Sequence, residues 1–124
     1  MKPSEIIKKD MERNGMSADE QRFLDGLATV IKQKKATLLQ HGNTVAVLFR
    51  VAPDTIEFHF YTTDKLPAME KAMKLFYEKV KATGVKSLVS ETENFHLVQA
   101  AKKLGIPIQA TRVGDKYKIE IQVQ

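Results

Sequence analysis

The chain has 124 residues, 43% of them hydrophobic, enough for one core and too few for two. Lys and Arg number 20 against 15 Asp and Glu, a net charge of +5. That excess permits an acidic-protein or nucleic-acid partner, but no run of five like charges marks a dedicated DNA-binding arm. Cysteine is absent, which excludes a disulfide framework and a thiolate metal site.

Residues 1–10 contain no apolar h-region, so no secretory leader is expected. The most apolar stretch, 44–49, is far short of the roughly 20 residues that span a bilayer. Membrane insertion is not expected, and a cytoplasmic or particle-enclosed location is. No repeat or low-complexity linker divides the sequence, so a single domain over 1–124 is expected, with an N-terminal helical arm at 1–16 and a core at 17–123.

In chain order, Ser4 can cap a short helix running to Arg13, where Asn14-Gly15 breaks it. Ser17-Ala18-Asp19-Glu20 reads as a capping box for a second helix. Phe23, Leu24, Leu27, Ala28 and Ile31 fall on one face of that helix, and basic residues close it from Lys32. Residues 36–40 read as a strand, His41-Gly42-Asn43 as a tight turn, and 44–51 as a return strand apolar on both faces, hence central. Pro53-Asp54 turns the chain into 55–61, where Ile56, Phe58 and Phe60 alternate with Glu57, His59 and Tyr61. One face should pack and the other stay polar.

A long helix follows, with Leu66, Met69, Ala72, Met73, Phe76 and Val80 as its apolar stripe and Gly84 as its stop. Residues 85–89 form a short strand, and Ser90-Glu91-Thr92-Glu93 reads as the next helix start. That helix should bury Phe95, Val98, Ala101 and Leu104 and end at Gly105. Strands at 107–112 and 116–123 close the chain around a turn at 113–115, with Tyr117, Ile119, Ile121 and Val123 facing inward. The order is α-α-β-β-β-α-β-α-β-β, an α/β (α+β) protein with a mixed central sheet and helices on both faces.

This order resembles that of the GNAT N-acetyltransferases over about residues 17–123. The local match is Ser87-Leu88-Val89-Ser90-Glu91-Thr92-Glu93-Asn94 followed by Ala100-Ala101-Lys102-Lys103-Leu104-Gly105-Ile106. It is similar to the family's later strand and helix, where an asparagine precedes an A-x-x-x-Y-x-K-L-G-F ending. The resemblance implies acetyl-CoA as cofactor, its pyrophosphate held on backbone amides where a strand meets a helix and glycines let phosphate approach. The family pattern there is R/Q-x-x-G-x-G/A. This chain has Tyr61-Thr62-Thr63-Asp64-Lys65-Leu66-Pro67-Ala68-Met69, and no glycine occurs between Gly42 and Gly84. Pro67 removes a donor, and Asp64 is expected as an N-cap that fills the anion site with the protein's own carboxylate. The position of the family's tyrosine acid is Ala101, which cannot transfer a proton.

For a working enzyme the expected residues are Glu57 and His59 as base candidates, and Tyr61, Thr62, Thr63, Lys65 and Asn94 around the cofactor. His41, His59 and His96 show no metal-ligand spacing, and no P-loop or G-x-S-x-G elbow is present. No metal site is expected. The reading preferred from sequence is a non-catalytic GNAT-like structural or interaction module without a cofactor. It is similar in size and in its strand-T-T-D-helix junction to small internal virion and morphogenesis proteins of short-tailed phages, so a protein partner, in a virion assembly, is implied. A divergent acetyl-CoA-dependent N-acetyltransferase is the alternative. For an interaction module, Lys71, Lys74, Lys81, Lys86, Lys102 and Lys103 are a candidate basic patch. Nucleic-acid binding by base stacking has little support, because tryptophan is absent and there are only three tyrosines.

Overall fold

The computed structural model describes residues 2–13, 20–33, 35–92 and 95–123. The Asn14-Gly15 break, the capping box from Ser17, Glu93 and Asn94 lie outside the described residues, as do the side chains of Phe23 and Leu24. The elements are α1 (Pro3–Arg13), α2 (Glu20–Lys32), β1 (Ala36–His41), β2 (Thr44–Ala52), β3 (Thr55–Thr62), α3 (Leu66–Lys81), β4 (Ser87–Thr92), α4 (Phe95–Lys103), β5 (Ile108–Val113) and β6 (Lys116–Gln122). Their succession matches the order expected from the sequence.

The strands form one sheet in the order β1-β2-β3-β4-β6-β5. Neighbours are antiparallel except β3 and β4, and a parallel pair needs a crossover, which α3 supplies. The β3–β4 ladder holds only Thr55↔Ser87, Ile56↔Leu88 and Glu57↔Val89. β3 nevertheless continues on β2 as far as Thr62, and β4 on β6 as far as Thr92. The sheet therefore stops pairing between the C-terminal halves of its two parallel strands. Open α/β sheets tend to bind ligands at such a switch point.

Strand alternation sorts the side chains into two cores. α3 and α4 cover one face, where Val80, Val98 and Ala101 pack on Ile56, Leu88, Ile119 and Ile121, and Phe76 and Ala72 pack on Ala46 and Phe60. α1 and α2 cover the other, where Ile6, Ile7, Met11 and Leu27 pack on Ala36, Val45 and Val47. Ile6 and Ile7 are fully buried, at 0% and 1% exposure. The helix at the N-terminus is thus part of the packed structure against β2 and β3 rather than an arm beside it.

Four local expectations are corrected. Ser4 does not cap α1; the helix opens with Pro3, whose missing N–H costs nothing at a first helical position, and the Lys2 carbonyl accepts from Glu5 and Ile6. Ser90, Glu91 and Thr92 do not start a helix; they pair with Ile119, Lys118 and Tyr117, because a full ladder outweighs a local capping preference. Leu66 is half exposed at the first turn of α3. Phe95 is likewise 39% exposed and lies against the Tyr117 ring at 4.9 Å instead of entering the core.

The Lys103-Leu104-Gly105-Ile106 ending has a structural cause. Gly105 takes φ +80°, donating to the Lys102 carbonyl, while Ile106 donates to that of Ala101 at 3.1 Å. This is a Schellman stop, which needs a residue free to be left-handed and brings Ile106 against the helix it ends.

Candidate functional site at the junction of β3 and α3

The last residues of β3 and the loop into α3 are tied down by a hydrogen-bond network. Thr62 Oγ1 lies 2.7 Å from Thr44 Oγ1, Thr44 Oγ1 donates to Asp64 Oδ2 at 2.8 Å, and the Asp64 amide donates to Thr62 Oγ1 at 3.0 Å. A hydroxyl has one proton to give, so Thr44, which gives its own to Asp64, must accept from Thr62. The three residues close a ring. The Asn43 amide adds a second donor to Asp64 Oδ2 at 3.0 Å. Gly42 makes the tight β1–β2 turn possible twice over: its φ is +58°, and a Cβ there would stand 3.2 Å from that same carboxylate oxygen.

Asp64 is therefore not the N-cap of α3. Lys65 takes that place and makes no side-chain cap, because the Asp64 carboxylate is committed to the β1–β2 turn. The acid still sits at the junction, and a second joins it. Asp10 of α1, 9% exposed, accepts the Thr62 amide on Oδ2 at 2.7 Å. Sequence reasoning missed Asp10, although its spacing gave a signal: four residues after Ile6 and three after Ile7, it lies on the apolar side of α1.

Three amides of the junction are already given to acceptors within the protein. Thr62 donates to Asp10, Thr63 to the Asn43 carbonyl, and Asp64 to Thr62. Pro67 has no amide proton, and Met69 donates to the Lys65 carbonyl within the helix. A phosphate meeting this junction would find three of its amides spent and two carboxylates nearby. The Thr62, Thr63 and Asp64 amides are not free for a coenzyme A pyrophosphate.

Across the ladder stop, Ser90 Oγ donates to the Phe58 carbonyl at 2.6 Å, so a side chain continues the β3–β4 link past the last paired residues.

The other β3 candidates face α1 and α2. Glu57 and His59 point the same way, His59 Nε2 lying 3.4 Å from Glu57 Oε2, with side chains 46% and 42% exposed. The His59 ring meets Phe49 edge-on at 5.8 Å. Beside it lies a cavity of about 330 Å³ between α2 and the sheet, lined by Leu27, Val30, Val47, Phe49, His59 and Tyr61. Tyr61, expected on a polar face, instead packs against the α1 cluster. Burial, and then the charge of Asp10, push its phenol up to about 12, since both disfavour the phenolate. Thr62 and Thr63 stand in the junction network and Lys65 is exposed.

Ala101 is 1% exposed among the α4 core contacts. Of the candidate basic patch, Lys71, Lys74, Lys81, Lys86, Lys102 and Lys103 are all exposed, and α3 and α4 touch. Two of these charges are partly met: Lys103 Nζ lies 3.4 Å from Glu70 and Lys86 Nζ 3.9 Å from Asp54. Among the described residues no cluster of three or more His, Asp or Glu could hold a metal ion, and no helix is long and apolar enough to cross a membrane.

No protein-family model and no curated protein matches the chain. Solved structures do. The chain is similar to an aminoglycoside 6′-acetyltransferase type Ii, with a TM-score of 0.66 at 8% identity, covering 98% of this chain and 87% of that one. It is similar to a ribosomal-protein-alanine N-acetyltransferase from Brucella melitensis, with a TM-score of 0.61 at 12% identity over 96% and 90% of the two chains. An acetyltransferase from Bacillus subtilis in complex with CoA gives 0.54 at 16% identity over 81% and 84%. At such identities the likeness is one of architecture, and with the mixed sheet and four helices the chain has the GNAT fold.

Proposed function

We propose that the chain is a GNAT-fold interaction module that does not transfer acetyl groups and that acts by binding a protein partner. The observation that carries this reading is the commitment of the Thr62, Thr63 and Asp64 amides to acceptors within the protein. Anion sites at strand-to-helix junctions work by presenting such amides unspent, and breaking the present bonds to free them would leave buried groups unpaired. Ala101 in place of the family's tyrosine supports the same reading. The resemblance to internal virion and morphogenesis proteins makes a phage virion assembly the partner class to test first.

Thermal unfolding in acetyl-CoA tests the proposal. A ligand at a hundred times its dissociation constant stabilises by about 2.7 kcal/mol, so millimolar acetyl-CoA should leave the melting temperature unmoved. A concentration-dependent rise would overturn the reading.

A second reading, a divergent N-acetyltransferase, draws on one observation, the Glu57–His59 contact beside the cavity at α2. In that reading one of the pair takes the proton of an acceptor amine. It requires acetyl transfer by the intact chain that Glu57→Gln and His59→Ala both reduce by about a hundredfold or more.

A further inference from the structure

α3 does not cover β1 and β2 along its whole length. Midway along the helix, Ala72 and Phe76 pack on Ala46 of β2 and Phe60 of β3; near its end Val80 packs on Ile56 of β3 and Leu88 of β4. The helix thus swings away from β1 and β2 toward β4, and a groove of about 610 Å³ is left beside its C-terminal end. Strand alternation puts Thr37 and Leu39 of β1 and Leu48 and Arg50 of β2 on this one face of the sheet. Leu39 and Leu48 are only half-buried there.

The two flanks of α3 differ. α4 adjoins one, where Glu70 meets Lys103 and Tyr77 packs on the α4 core. The other borders the groove: Lys79 lines it, and Leu75, four residues earlier and so one turn up on the same flank, is 38% exposed. Two strands side by side are about 10 Å wide and a helix is about 10–12 Å across, so the uncovered strip has the width of one helix. Its charged members are Lys35, Arg50 and Lys79, all exposed. Among the described residues none of them forms an ion pair and no acid lines the groove; Arg50 donates to the Pro53 carbonyl, which leaves its charge unneutralised. Three such cations around aliphatic side chains are complementary to a surface both acidic and apolar.

We propose that this groove seats one amphipathic helix of a protein partner, lying alongside α3 on the face of β1 and β2, with an aliphatic stripe flanked by acidic residues. The stripe meets Leu39, Leu48 and Leu75, and the flanking acids meet Lys35 before β1, Arg50 on β2 and Lys79 on α3. All contacts are to one face of the sheet, and none is to a strand edge. A small anionic amphiphile fits less well, because a ligand pocket buries most of its ligand and the exposed Thr37, Arg50, Lys79 and Thr83 leave this groove open. The lack of aromatic residues in the lining disfavours a nucleic-acid strand. A second copy of this chain brings a net charge of +5, the wrong sign for the groove. The inference rests on the interaction-module reading for the kind of partner, but it uses no residue of the β3–α3 junction, so either can fail alone.

The test is fluorescence anisotropy of the full chain with a labelled peptide of about 14 residues, roughly four helical turns, made of two copies of Leu-Glu-Gln-Leu-Leu-Glu-Glu. Saturable binding is expected, weakened about tenfold or more by the surface double variant Lys35→Glu/Lys79→Glu, and weakened similarly when the peptide is shuffled so that its leucines no longer share one helical face. A peptide with Lys in place of each Glu should reverse the preference and bind the double variant better than the natural chain. Lys102→Glu/Lys103→Glu, on α4, should leave binding unchanged. Circular dichroism of each variant confirms that it folds. Absence of saturable binding, equal binding of the shuffled peptide, or indifference to charge reversal at Lys35 and Lys79 overturns the proposal. So does displacement of the peptide by laurate or by a single-stranded oligonucleotide at equal or lower concentration. Acetyl-CoA titrated into the same sample reports separately on the junction.

Discussion

The Asp10 carboxylate accepts the Thr62 amide at 2.7 Å across 52 positions of sequence. This bond ties α1 to the end of β3, at the place where the sheet stops pairing between its parallel strands. It puts a buried acid on an amide of the strand-to-helix junction. Asp10→Ala should lower stability by about 1–3 kcal/mol, since a buried amide loses its acceptor. Asp10→Asn, which keeps an oxygen, should cost less. Urea unfolding measures both, and equal losses would show that the bond to Thr62 is not what matters.

Gly42 and Asp64 should be energetically coupled. Gly42→Ala pays about 1–2 kcal/mol for a left-handed alanine, plus the displacement of a carboxylate that a Cβ would meet at 3.2 Å. In an Asp64→Ala background only the backbone part remains. A double-mutant cycle should therefore show Gly42→Ala to be less costly there, and strict additivity would refute the contact.

Ile6 distinguishes a packed α1 from a loose arm. Fully buried against the α1–β2 cluster, it should lose about 2–5 kcal/mol on substitution by alanine. A loss within about 0.5 kcal/mol, as on an exposed surface, would mean that the helix does not pack as described.

Tyr61 gives a pH signature. A phenol raised from 10.0 to about 12 favours the protonated form in the fold, so its contribution to stability is complete below pH 10 and disappears as pH rises from 10 to about 12. Denaturation at stepped alkaline pH should show a loss in that window that Tyr61→Phe removes. Tyrosinate absorbance should show one group titrating late in the native protein.

Most of the architecture was legible in the sequence because each element carried its own period. The stripe Met69–Ala72–Phe76–Val80 and the alternating pair Ile119 and Ile121 face the core as their spacing demands, while Tyr117 lies half-buried against Phe95. Ser90 to Thr92 misled, because a strong local capping signal was overridden by pairing with β6, a non-local partner. The site was less legible. The missing glycines could be counted, but the direction of Asp64 depended on a turn 21 residues away. Asp10 met its partner only through the packing of α1, which no local spacing encodes.

The central claim is that the Thr62, Thr63 and Asp64 amides are already committed within the protein. Amide-resolved NMR during a coenzyme A titration tests it directly. The Thr62, Thr63 and Asp64 resonances should stay in place up to millimolar ligand, with amide exchange at Thr62 slow. Saturable shifts at these three amides would contradict the account.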